Sequence, residues 1–390
     1  MPHVEWGVPV RRVTQPPAHH HFGYYDKFPW DSTGRYLLSL ETAFMDRPPT
    51  PDDAATIGMV DVADGYRWIP LARTVAWNWQ QGTMLQWLET APDRLIIYNA
   101  REGERYVSVI QDVHTGEKRT LPRPVYAVSR GGRSAVTVTF PRVHACYPGY
   151  GYIGIPDPWH DDPAPGEDGI YWMDLETGRN RRIVSFAQIV ASCPQPMAKD
   201  MKHHFNHLQF NTDDSRFLFL HRWGKGGPWE ATRLFTAAPD GSDVFCVADH
   251  EMVSHFDWRD ETRILAWARQ HGEGDHYYLF TDRTREREMV GPDVLTCDGH
   301  CSYSPDRRWI LTDTYPDHRH LRTLILYRPE DNLRIDIGRF LSPPELQGEI
   351  RCDLHPRWSR DGMQVCFDSM HEGSRQVYVA EMDEVLRKFD

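Results

Sequence analysis

His207-Leu208-Gln209-Phe210, with Asp213 three residues further on, sets the period of this chain. The same pattern of histidine, two residues, large apolar residue and following acid returns at His255 to Trp258 with Asp260. It returns again at His300 to Tyr303 with Asp306, and at His355 to Trp358 with Asp361. The heads of these units lie 48, 45 and 55 residues apart. A period of about forty to fifty residues, with room for four short strands per unit, is a β-propeller signal.

The frame runs backwards with the histidine replaced. Tyr25 to Phe28 with Asp31 fits, as do Met84 to Trp87 and Val125 to Val128, which brings the count to seven units. Apolar strands such as RYLLSLET, RSAVTVTF and SRFLFLHR follow the signatures, each punctuated by Asp/Gly turns. Short strands between such turns are the all-β pattern. The chain is therefore expected to be one domain over residues 1–390, a seven-bladed propeller. The C-terminus supplies only three strands for the last blade, so a single N-terminal strand over 4–13 is expected to complete it and close the ring.

Two stretches break the rhythm. Residues 140–168, rich in Gly, Pro and Tyr, are read as an insertion loop in the third unit with no regular strand or helix. Residues 186–199 are read as a short helix leading into the fourth blade.

The 390 residues carry a net charge of −12 and no Lys/Arg-rich run, which argues against a nucleic-acid partner. No apolar run is long enough to span a membrane, and the N-terminus lacks the apolar core of a signal peptide. Seven cysteines in no regular framework are expected to be free thiols. A cytoplasmic location is the expectation.

In a propeller the residues that begin each innermost strand gather at one mouth of the central channel. His207, His255, His300 and His355 are expected to converge there, with Tyr25 next round the ring. Convergent imidazoles on a rigid frame suit a divalent transition metal. Asp353 and Cys352 stand near enough in sequence to His355 to add a ligand or support one. His20 and His21 are placed on the loop entering blade one, with Lys27 alternating with Tyr25 along a strand. Arg101 and Arg222 sit at strand ends as candidate carboxylate clamps. His144, Tyr147, Tyr150 and Tyr152 lie in the insertion.

At these residues the sequence resembles the seven-bladed propeller polysaccharide lyases, above all oligogalacturonate lyase. The shared marks are histidines heading the later blades, a closing His355-Pro356 followed by an aromatic and Asp361, and the Tyr25-Asp26-Lys27 triplet. The resemblance implies a β-eliminating lyase acting on an acidic oligosaccharide, with His207 as base and a divalent metal, Mn or Zn, at His255 and His355 with His300 nearby as the third candidate ligand. From their positions, Arg222 is the expected clamp for the substrate carboxylate, and His21, His144, Tyr150 and Arg101 are further catalytic candidates. The sequence departs from that family where Asp353 stands in place of a second histidine. It is also similar to propeller ulvan lyases and related rhamnose–glucuronate enzymes through HFGYYDKFPWD, MLQWL and PGYGY. That likeness keeps open a glycoside hydrolase, and the shared fold keeps open a non-catalytic binding propeller.

Overall fold

A computed structural model describes residues 3–192, 201–224 and 231–389. Seven sheets form a ring, the seven-bladed β-propeller that the period predicts. The innermost strands of blades two to seven are Gln86–Trp87, Ala127–Val128, Lys202–Phe210, Val253–Trp258, Ser302–Tyr303 and Arg357–Trp358. Each meets the strand that follows it in antiparallel register.

Burial explains the strand sequences. Phe217–Gly224, second in blade four, is buried along its whole length because neighbouring sheets cover both faces, and it reads as a near-continuous apolar run. The outermost strand Arg287–Met289 is exposed throughout and carries charge. The aromatic of each signature fills the gap between blades: Trp258 packs with Leu218 and Leu220 of blade four and Ile264 of blade five. The acid of each signature closes the turn behind it. Asp213 accepts from Ser215 N at 3.0 Å, Asp306 from Arg308 N at 3.1 Å, and Asp361 from Met363 N at 3.0 Å. A carboxylate that bonds the backbone two residues on is the turn chemistry of Asp.

Three local expectations are corrected. The N-terminal strand is two pieces: His3–Glu5 adds a fifth, parallel strand to blade six, and only Val10–Arg12 joins blade seven, antiparallel to Gln376–Glu381. Gly7 and Pro9 separate them, where chain leaves one sheet edge for the next. The inner strand of blade one is His19–His21, so His20 and His21 are strand residues rather than loop residues. The chain then leaves the sheet and returns at Trp30, which bridges Leu37, so Tyr25 and Lys27 lie on an excursion between them. Within the insertion, Phe140–Cys146 is a helix. Pro141 sits in its first turn, where a missing N–H costs nothing, and no glycine interrupts it. Residues 186–192 form the expected helix; 193–199 of that reading lie outside the described residues.

The six described cysteines are free, and no helix among the described residues is long and apolar enough to cross a membrane. Replacing Trp258, fully buried between blades, with alanine should lower stability by about 3–5 kcal/mol, read as a shift of the urea midpoint.

Candidate functional site

Backbone distortion aims the signature heads inward. The register of the blade-four inner strand slips between Asn206 and Gln209, and that of blade five between Val253 and Phe256. Each slip is a bulge, which turns side chains off the sheet face. His207 and His355 take left-handed φ values of 52° and 43°, and Met84, at the same place in blade two, takes 53°. For residues with a Cβ this costs roughly 1–2 kcal/mol each, so the surrounding packing holds them there.

The four histidines converge. His255 and His300 have ring centroids 4.0 Å apart, and His300 and His355 4.3 Å. Tyr24, which the sequence reading passed over, sits among them: it stacks on His207 at 4.9 Å and meets His355 at 5.0 Å and His300 at 6.0 Å. Tyr25 lies 5.9 Å from His255 and 5.5 Å from His300. Its hydroxyl donates to Phe256 O at 2.9 Å and accepts from Phe256 N at 3.0 Å, tying blade one across the channel to blade five.

Carboxylates set the tautomers. His300 Nδ1 is 2.8 Å from Asp313 Oδ1, and His255 Nδ1 is 2.9 Å from Asp298 Oδ1. With Nδ1 donating, Nε2 of His300 is left with a lone pair. That atom and Nε2 of His355 are buried without a hydrogen-bond partner among the described residues. His355 Nε2 lies 3.9 Å from Asp353 Oδ2. Ligand atoms of His300, Asp353 and His355 all fall within 4.8 Å of one another. His255 stands beside this group, so the structure gathers Asp353 with two of the three expected ligands.

Burial depresses the pKa of His355, with His300 adding to the effect, and burial likewise lowers that of His255 against the pull of Asp298. Both imidazoles are therefore neutral near pH 7, the form a metal needs. Burial disfavours the ionised form of Asp353, yet Arg351 at 2.8 Å and Arg322 at 2.6 Å outweigh it and hold its carboxyl well below the usual range. Two imidazole nitrogens without a hydrogen-bond partner, an ionised carboxylate and an acid behind the His300 ring fit a divalent cation.

His207 stands slightly apart. Its Nδ1 is 3.3 Å from Gln81 Nε2, and its backbone N–H donates to Tyr126 Oη at 2.7 Å. Tyr126 in turn donates to Gln81 Oε1 at 2.9 Å. Burial, and next the charge of Arg222, keep the His207 imidazole neutral well below its ordinary pKa. The insertion supplies Tyr150, edge-on to His207 at 5.5 Å, and Tyr147, stacked on Tyr150 at 4.4 Å. Arg351 Nη2 donates to Tyr150 Oη at 2.7 Å, and the Arg222 guanidinium lies 5.7 Å from the Tyr147 ring.

Three candidates lie elsewhere. His21 is buried against Trp77 and Trp79 at 5.8 and 5.0 Å. His144 is half-buried on the helix Phe140–Cys146. Arg101 faces Asp52 at 3.8 Å and packs under Gly154. Among the described residues, none of them has a ring contact, hydrogen bond or ion pair with the four histidines. The residues the sequence reading missed, Tyr24, Asp298, Asp313, Arg322 and Arg351, fall outside the repeated signature.

No protein-family model matches the sequence, and no curated protein matches it. Among solved structures, the chain is similar to an oligogalacturonate lyase from Vibrio parahaemolyticus, with TM-score 0.69 and 16% identity over 97% of this chain and 94% of that one. An oligogalacturonate lyase in complex with manganese gives TM-score 0.69 and 17% identity, covering 96% and 93%. A prolyl endopeptidase gives 0.54 and 7%, covering 93% of this chain and 50% of that one. At these identities the likeness is one of fold.

Acid should weaken the fold through these buried imidazoles. Unfolding frees His207, His255 and His355 to take protons at an ordinary pKa near 6.5, whereas the folded state resists them. Stability is therefore expected to fall as the pH drops from about 7 to about 5, each group contributing up to about 1.4 kcal/mol per pH unit; urea midpoints across that range check it. The Asp313→Asn variant, which loosens the His300 tautomer, should bind divalent metal roughly 10–100-fold more weakly by titration.

Proposed function

We propose that this chain is a metal-assisted lyase that cleaves an oligosaccharide containing 4-linked uronic acid by β-elimination at the histidine-lined mouth. The observation that carries the reading is the pairing of two bare, buried imidazole nitrogens beside Asp353 with a separate neutral histidine, His207. The fold shared with oligogalacturonate lyase supports it.

The difficult step in such an elimination is loss of the C5 proton beside a carboxylate, because the carbanion-like state adds charge to an already charged group. A divalent ion held by His300, His355 and Asp353, with His255 alongside, would act as a Lewis acid that offsets that charge. The chain's own residues do the rest. His207, neutral with its Nδ1 lone pair toward Gln81 Nε2 at 3.3 Å, takes the C5 proton at that nitrogen as the substrate replaces the amide. The C5–H electron pair becomes the C4–C5 double bond as the C4–O4 bond breaks, and a proton from water or the protonated base goes to O4. Arg222 is a cation for the substrate carboxylate, and Tyr147 and Tyr150 present rings to the sugar.

The test is incubation with a panel of uronic-acid oligosaccharides while the ultraviolet absorbance of an unsaturated product is followed. The native protein should produce it, and His207→Ala should keep its metal while losing at least about a hundredfold in rate. Cleavage without the unsaturated product would replace the lyase with a hydrolase. Binding without cleavage would leave a carbohydrate-binding propeller.

A further inference from the structure

Residues two places beyond the signature heads line the channel further along its length. Lys27, Gln209, Asp257, Ser302 and Arg357 border a cavity of about 240 Å³, and Gln86 borders a contiguous smaller one. The four histidines of the mouth do not line it; Tyr25 does, so the excursion of blade one separates the two spaces.

The cavity gathers five cations, and four of them are paired. Lys27 holds Asp26 at 2.6 Å, Arg357 holds Asp368 at 2.9 Å, and Arg360 holds Glu89 at 2.7 Å. Arg307 faces Asp257 at 3.7 Å. Arg130, from the end of the blade-three inner strand, has no carboxylate within 4.0 Å of its guanidinium among the described residues; it lies over the Phe28 ring at 5.2 Å. Burial works against its charge, Asp257 offsets part of that, Arg307 opposes the charge further, and Asp214 and Asp26 favour it from a distance. A part-buried guanidinium with no carboxylate in direct contact can take a bidentate anion.

The uncharged groups are also short of partners. Gln86 Nε2, Gln209 Oε1 and Ser302 Oγ are buried atoms with no hydrogen-bond partner among the described residues, and Gln86 and Gln209 are only 5% and 7% exposed. Asp26 Oδ1 is likewise unpartnered and calls for a donor. One unpaired guanidinium, one amide donor, one amide acceptor, a hydroxyl and a carboxylate oxygen match an anionic group attached to a hydroxyl-bearing ring. The volume suits a single ring rather than a chain.

We propose that this cavity is a second binding site, for a small acidic sugar whose carboxylate or phosphate meets Arg130 and whose hydroxyls meet Gln86, Gln209, Ser302 and Asp26. It is separate from the histidine mouth and does not depend on the chemistry assigned there. Calorimetric titration at low salt with galacturonate, galactose 6-phosphate and neutral galactose tests it. At least one of the two anions should bind, with galactose roughly tenfold weaker or worse, and the preferred anion tells carboxylate from phosphate. Arg130→Gln should weaken that binding roughly tenfold or more, while His355→Ala, altered only at the mouth, should leave it unchanged. Arg307→Gln, at the more exposed rim, serves if Arg130→Gln does not fold, and should weaken anion binding in the same sense. Absence of anion binding, indifference to the arginine substitutions, or loss in His355→Ala would each overturn the proposal.

Discussion

Ring closure is the constraint on which everything at the channel depends. Val10–Arg12 completes blade seven beside Gln376–Glu381, and His20 N donates to Arg375 O at 2.8 Å across the seam to blade one. That seam fixes Tyr24, carried by blade one, against His355, carried by blade seven. Tyr25 then reaches over to the Phe256 backbone of blade five. A propeller open at the seam would keep most of its interblade cores but lose the register of the mouth, because the histidines belong to separate sheets and share no local hydrogen bond. Closure therefore converts a sequence period into a constellation.

The second theme is the burial of polar groups that the fold does not need. A buried donor or acceptor left unmade costs about 1–3 kcal/mol. Near the mouth much of that cost is offset: Asp313 and Asp298 hold His300 and His255, and Arg322 and Arg351 hold Asp353. The atoms left without a hydrogen-bond partner among the described residues include Nε2 of His300 and His355 at the mouth, and Gln86, Gln209 and Ser302 show the same feature further along. Apolar residues at these positions would give a more stable ring. Clusters of perturbed, incompletely satisfied groups in a concave place point to ligand chemistry.

The sequence revealed the periodic part of this arrangement. The four histidine heads share one frame, so their convergence follows from the blade count, and the neutrality of His207, His255 and His355 follows from burial at a channel. Supporting residues were harder to see because they follow no period. Asp313 stands at the end of the second strand of its blade, Arg322 begins the third, and Arg351 lies in the link before blade seven. Tyr24 was masked by its neighbour: reading 25–28 as a strand put Tyr25 on the channel side and Tyr24 on the other, whereas an irregular excursion lets both face inward. The helix at Phe140–Cys146 was hidden by the Gly/Pro content of the insertion around it, and the split N-terminal strand by the alternating apolar residues Val4, Trp6, Val8 and Val10 on both sides of Gly7.

The central claim is that His300, His355 and Asp353 form a metal centre with His207 beside it. Elemental analysis of untagged protein purified without added metal, paired with a His300→Ala/His355→Ala double variant, tests it most directly. The account predicts close to one manganese or zinc per chain in the native protein, or stoichiometric uptake on titration, and none in a folded double variant. Native protein that carries no divalent ion and takes none up, or a double variant that retains it, would contradict the account.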